Sequence, residues 1–291
     1  MSGEHRGDER PIEIGRHHVS QLSMATGWAR TAFAAIVLLL SAVPAAAGPL
    51  EDAAAAHGRG DYATVLRLLR PLADQGYAPA QMRLAFAYNN GEGVPLSHTE
   101  AIKWYRLAAD QGHAAAQNNL GVMYRKGEGV PQNYTEGAKW VRLAADKGHA
   151  DAQANLGVAY HNGEGVPQNY AEAVKWYRLA AEKGHANAQN NLGFMYRKGE
   201  GVPKNLAEAV KWVRLAADQG HPSAQGNLGI AYHNGEGVPQ DFVSAHVWLN
   251  LSAAQGDKDA AQYRDRISKR MTPAQIAEAQ KLASEWQAKR R

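Results

Sequence analysis

The pentapeptide Gly91-Glu92-Gly93-Val94-Pro95 returns at Gly127–Pro131, Gly163–Pro167, Gly199–Pro203 and Gly235–Pro239, always 36 residues further on. This fixed period constrains the fold more than any other feature of the chain. Each copy is one supersecondary unit that cannot bury its apolar face alone, so the units must stack and bury a continuous core between them. The stretches between the pentapeptides keep the same step. Trp104, Trp140, Trp176, Trp212 and Trp248 share one slot. Leu120-Gly121, Leu156-Gly157, Leu192-Gly193 and Leu228-Gly229 share another, followed by Tyr124, Tyr160, Tyr196 and Tyr232.

Each unit reads as two helices. In residues 169–199, Asn169 is placed as an N-cap and Glu172 stands at N3, the pattern of a capping box. Asn133/Glu136, Asn205/Glu208 and Ser97/Glu100 repeat it. Val174, Trp176, Tyr177, Leu179, Ala180 and Ala181 then supply an apolar face, and Gly184 is the expected left-handed stop. A second helix is expected from about Ala186 to Lys198, ended by Gly199. Helices of about 12 residues are marginal alone in water, so stacking must stabilise them. In the second helix, Gln117, Leu120, Gly121 and Tyr124 fall within about 100° of arc and make one buried face. A mid-helix glycine costs about 1 kcal/mol against alanine. Gly121 therefore implies a close helix approach, and Ala85 keeps the same slot small in the first unit. The pentapeptide is a connector closed by proline. It is no phosphate loop, because no Lys-Ser/Thr follows and no strand precedes it.

The expectation is thus an all-α solenoid of about six helix-pair repeats over residues 61–256, with a leading helix in 48–60 and capping helices in 257–291. Leu50 to His57 reads as the leading helix, and Pro71 as a kink in the first array helix. Thr272-Pro273-x-Gln275 opens a final helix with N-cap, N1 proline and N3 glutamine. Ile276, Ala279, Leu282, Ala283 and Trp286 give that helix one apolar stripe under a polar outer face.

Residues 1–47 stand apart from the repeats. Ala29-Arg30 lead into an apolar stretch from Thr31 to Val43, Pro44 breaks it, and Ala45-Ala46-Ala47-Gly48 offers a small-residue cleavage site. This is the layout of a secretory signal peptide, and a start at Met24 would give a leader of Met24 to Ala47. The stretch is short for a bilayer core that needs about 20 residues, so membrane contact is expected only if the leader is retained as an anchor. Export to the periplasm or beyond is the expectation. The net charge of +4 is too mild and too spread to argue for nucleic acid. With no cysteine, disulfides, thiolate chemistry and cysteine metal sites are excluded.

The unit A-x-x-W-(Y/V)-R-L-A-A-x-x-G, then A-Q-x-N-L-G-x-x-Y-x-x-G-x-G-V-P, resembles the Sel-one-like repeat, a branch of the tetratricopeptide-type helical solenoids. The resemblance covers about residues 61–256. It implies a right-handed superhelix, a scaffold role and a protein or extended-peptide partner, with no cofactor. Some cysteine-rich secreted members are linked to β-lactam binding or hydrolysis, which makes a cell-wall or β-lactam-processing enzyme the alternative. This chain lacks the paired cysteines of those members.

The resemblance also places the second helix of each pair on the inner, concave surface. There Asn118, Val122 and Arg125 lie about 140–200° from Leu120, away from the core arc. The equivalent slots complete a candidate groove: Met82, Phe86 and Asn89; Ala154, Val158 and His161; Asn190, Phe194 and Arg197; Gly226, Ile230 and His233. Successive repeats alternate Asn/Arg with Ala/His or Gly/His, and Tyr105, Val141, Tyr177 and Val213 alternate with them. The alternation fits tandem duplication of a 72-residue unit. It fits equally a groove with two similar sub-sites for an extended peptide carrying acidic or amide groups.

Other residues carry less. His113, His149, His185 and His221 share the slot that Asp257 fills in the last repeat, which suggests capping. Equivalent residues of adjacent repeats stand about 8–10 Å apart or more, so they cannot share a metal. Asp61 of Arg59-Gly60-Asp61 reads as a helix cap. Asn133-Tyr134-Thr135 and Asn250-Leu251-Ser252 fit the glycosylation pattern and would be silent in a bacterial envelope. Glu92, Glu128, Glu164, Glu200 and Glu236 recur too regularly to form one active site.

Overall fold

The computed structural model describes residues 48–290, and among these every regular element is an α-helix. A leading helix α1 (Pro49–Gly58) precedes six pairs. These are α2 (Tyr62–Asp74) with α3 (Ala78–Asn90), α4 (His98–Asp110) with α5 (Ala114–Lys126), and α6 (Tyr134–Asp146) with α7 (Ala150–Asn162). They continue as α8 (Tyr170–Glu182) with α9 (Ala186–Lys198), α10 (Leu206–Asp218) with α11 (Pro222–Asn234), and α12 (Phe242–Ala253) with α13 (Lys258–Ser268). A last helix, α14 (Pro273–Ala288), closes the array. From α1 to α13 each helix packs on its sequence neighbours, and the second helix α7 also touches α5 and α9. This is an α-solenoid. The leader with its cleavage site lies outside the described residues.

From α4 to α14 every helix has a side-chain N-cap, with one departure from the boxes expected. The side chains of Ser97, Asn133, Asn169 and Asn205 accept from the N3 amides of Glu100, Glu136, Glu172 and Glu208. The reciprocal half is absent, because the backbone N–H of Asn133 donates instead to the Tyr124 carbonyl at 2.8 Å, and Asn169 and Asn205 do the same with Tyr160 and Tyr196. The freed glutamates pair with lysines one turn on, as Glu136 does with Lys139. The full box forms at α14, between Thr272 and Gln275. Helix α2 runs on through Pro71 to Asp74, and Asp61 caps it.

The glycine of the Leu-Gly slot marks the closest approach between repeats. A Cβ on Gly121 would stand 2.6 Å from Val141 and 2.7 Å from the Gly137 carbonyl. Beneath each pair, a buried glutamine ties the second helix to the end of the first: Gln117 donates to the Ala109 carbonyl at 3.0 Å and Gln189 to Ala181 at 3.0 Å. The connector closes against the preceding repeat. Gly165 holds a φ of +73°, and a Cβ there would meet the Tyr134 carbonyl carbon at 2.3 Å, so only glycine fits.

At the far end α14 packs on α12. Ala279 and Ala283 are buried, and Trp286 stacks edge-on against Trp248 with centroids 6.1 Å apart. Leu282, read from the sequence as part of the buried stripe, is 42 % exposed. It sits at the edge of the arc centred on Ala279 and Ala283, beyond the width that one neighbouring helix covers.

Candidate partner-binding groove

The second helices α3, α5, α7, α9 and α11 carry the residues expected in the groove. Met82, Phe86 and Asn89 on α3 are half-buried, as are Arg125 on α5, His161 on α7, Asn190, Phe194 and Arg197 on α9, and Ile230 and His233 on α11. The other five are buried: Asn118, Val122, Ala154, Val158 and Gly226. Their slots do point away from the first helix of their own repeat, but stacking buries them. Asn155 donates to Asn118 across the boundary between repeats at 2.9 Å. These five thus form the floor of the groove and are closed to a partner's side chains.

The half-exposed residues are drawn together by the connectors. Glu164 stands 3.6 Å from Arg125, and Glu200 stands 3.6 Å from His161. Each glutamate belongs to the pentapeptide of the following repeat, so every such pair bridges two units. The His161 ring also lies beside Tyr170 and Phe194, at centroid distances of 5.4 and 6.4 Å. Further along, Phe194 and Arg197 share a small cavity of about 30 Å³ with Asn227 and Glu236. Arg197 and Lys198 both lie over the Phe194 ring, at 5.9 and 5.8 Å. Asn89 holds His98 at 3.1 Å, and His233 lies 5.6 Å from Phe242.

The alternation between repeats has a structural cause that sequence reasoning missed. Tyr105 and Tyr177 are fully buried beside Asn119 and Asn191 of their own pairs; burial pushes both phenols above the ordinary range. Val141 and Val213 fill the same slot in the other pairs and offer no hydroxyl. There the equivalent asparagines reach back to the preceding repeat, Asn155 to Asn118 and Asn227 to Asn190 at 3.0 Å. Tyrosine and an inter-repeat amide pair are thus alternative ways to satisfy one asparagine. A second unforeseen row links the first helix of each pair to the second, where Arg70 donates to the Tyr88 hydroxyl at 3.0 Å, Arg178 to Tyr196 at 2.7 Å and Arg214 to Tyr232 at 2.5 Å. Arg106 and Arg142 make the same bond with Tyr124 and Tyr160. The i to i+18 spacing was the signal for it.

The histidine slot caps helices, as its exchange with Asp257 suggests. Nδ1 of His113, His149, His185 and His221 accepts from the amide three residues on, at 3.3, 3.4, 3.1 and 3.1 Å. Burial lowers the pKa of His113 and His149 and takes His221 down to about 4. Nε2 of His185 lies 3.3 Å from Asp151, and this contact holds the Asp151 carboxyl below its usual range. Among the described residues no group of three or more His, Asp or Glu is arranged to hold a metal ion, and no helix is long and apolar enough to cross a membrane.

The Sel1 repeat model matches residues 78–113, 114–149, 150–185, 186–221 and 222–257, each match joining the second helix of one pair to the first of the next. The chain belongs to the Sel1 repeat family. Sel1 repeat proteins mediate protein–protein interaction, and the scaffold is characteristically non-catalytic. Among solved structures it is similar to a Sel1 repeat protein from Oxalobacter formigenes, at 32% identity and a TM-score of 0.72 over 82% of this chain and 97% of that one. It is also similar to c5321, a protective antigen present in uropathogenic Escherichia coli strains with an SLR fold, at 38% identity and a TM-score of 0.69 over 77% of this chain. The match spans about half, 49%, of the antigen's length. No curated protein matches the chain.

Proposed function

We propose that this Sel1 repeat protein is an exported, envelope-associated scaffold that holds another protein along its concave face. The observation that carries the reading is the row of half-exposed residues on α3, α5, α7, α9 and α11, where cations, amides and aromatic rings alternate over a buried floor. Such a face is rigid, because each of its helices is tied to its neighbours by glutamine and asparagine bonds, and a preformed surface loses little entropy on binding. The signal-peptide layout of residues 24–47 supports export. A protective antigen among its relatives fits the same location.

The test is capture by crosslinking from envelope extracts, with the full chain as bait. A variant with Arg125, His161, Arg197 and His233 changed to serine runs beside it. A protein held by the wild type and lost by the variant supports the groove. Equal capture by both moves the contact to another face. Cell fractionation with N-terminal sequencing tests export, which predicts a mature chain beginning near Gly48.

A further inference from the structure

Arg125 and Arg197 occupy the same slot two repeats apart, on α5 and α9. Neither has its hydrogen-bonding capacity filled by a carboxylate. Glu164 lies 3.6 Å from Arg125, outside hydrogen-bonding range, and the Arg125 side chain is 17% exposed. Arg197 makes no ion pair among the described residues, although Glu236 lines the same cavity. A guanidinium in this state offers its planar fork to an incoming carboxylate, which it can bind through two parallel hydrogen bonds. Lys198 beside Arg197 adds a second cation at the Phe194 ring.

We propose that the partner enters the groove as an extended acidic segment carrying two carboxylates five or six residues apart, one for Arg125 and one for Arg197. This rests on the concave-face reading above and deepens it. The spacing follows from packing. Helix α7 touches both α5 and α9, and packed helix axes lie about 8–10 Å apart, which sets the two arginines about 16–20 Å apart. An extended chain advances about 3.3–3.6 Å per residue, so five or six residues cover that span. A helical ligand would need about eleven to thirteen residues at about 1.5 Å each. The duplicated construction supports two equal sub-sites: Asn118 with Asn155 underlies the first, and Asn190 with Asn227 the second.

Fluorescence anisotropy and titration calorimetry on the full chain test this with synthetic peptides. Each peptide carries two glutamates in a serine-asparagine background, at every separation from about two to about thirteen residues, and a one-glutamate peptide is the reference. The expected profile peaks at five or six, with affinity at least about tenfold above the reference. The reference peptide is expected to bind two per chain. Arg125→Gln or Arg197→Gln alone abolishes the gain and halves that stoichiometry. A flat profile, a peak near eleven to thirteen, a gain that survives both variants, or no binding at all overturns the proposal. The profile needs no variant, so it stands even if a substitution disturbs folding. Capture of a partner that depends on the four groove residues, together with a flat peptide profile, would leave the concave-face reading standing and remove the two-anchor ligand.

Discussion

The Tyr177 ring occupies the space that a side chain on Gly157 would need: a Cβ on Gly157 would stand 2.5 Å from ring carbon Cδ1. Alanine is the better helix former by about 1 kcal/mol, so an unhindered Gly157→Ala would stabilise α7. Here the overlap must be relieved by moving a fully buried aromatic. The expected net result is a loss of about 1–3 kcal/mol, read as a lower midpoint in urea or heat. Gly226→Ala is the control. Its added Cβ would meet the side-chain oxygens of Ser252 and Asp257 no closer than 3.2 and 3.3 Å, and the change should be smaller.

The same tyrosine tests the cause of the alternation. Tyr177→Phe keeps the ring and removes the hydroxyl that lies beside Asn191. A polar group left without its partner costs about 1–3 kcal/mol, and Tyr105→Phe should match it through Asn119. Adding Asn191→Leu to Tyr177→Phe removes both partners and should recover part of the loss. A double variant less stable than the single would show that the hydroxyl and the amide do not act as a pair.

The histidine caps make the array sensitive to acid. Only a neutral imidazole has the Nδ1 lone pair that accepts the amide of Ala116, Ala152, Ala188 or Ala224, and a cation at a helix N-terminus opposes the dipole. His221 falls from 6.5 to about 4, first through burial and then through the nearby His185. His113 is lowered by burial and by His149, Arg83 and Lys147; His149 is lowered by burial, His185 and Lys183, against Asp151. A depressed basic group binds its proton more readily in the unfolded chain, so its contribution is complete above about pH 6.5 and declines as pH falls toward 4. For His221 the full difference corresponds to about 3 kcal/mol. Melting temperature should therefore drop steeply between these limits. His221→Asn keeps a capping side chain without the titration and should flatten the slope. An unchanged slope would show that the His221 cap does not set it.

The period, the helix pairs, the small Leu-Gly slot and the histidine caps were all legible because each depends on contacts within one repeat or on a strict local rule. Gly121 announces its close approach, since nothing else justifies a mid-helix glycine. Contacts between repeats were less legible. A residue such as Val122 looks exposed on a helical wheel that knows only its own partner helix, yet in the stacked array it is buried. Glu164 looked uninformative because it recurs, yet Glu164 and Glu200 each reach the cation of the unit before them, Arg125 and His161. Tyr105 and Val141 were visible as an alternation, but the amide that couples them lies in another repeat.

Helix α12 differs from its counterparts where α14 lies on it. Val247 replaces the exposed lysines Lys103, Lys139, Lys175 and Lys211, and Leu251 is 1% exposed where Leu107, Leu143 and Leu215 are 48, 47 and 42% exposed. The last repeat thus carries an apolar outer face made for the capping helix, and the ordinary repeats do not. Removing residues 272–291 should uncover Val247, Trp248 and Leu251 together. A contiguous patch of that kind drives association, so the truncated chain should melt lower and show concentration-dependent light scattering. Trp286→Ala, which removes the ring stacked on Trp248, should weaken the cap by about 2 kcal/mol, because a large side chain is lost from a partly buried contact. Leu282→Ser on the exposed edge of the same helix should stay within about 0.5 kcal/mol of the wild type. A truncated chain that stays monomeric and melts with the full one would mean that α12 closes the array without α14.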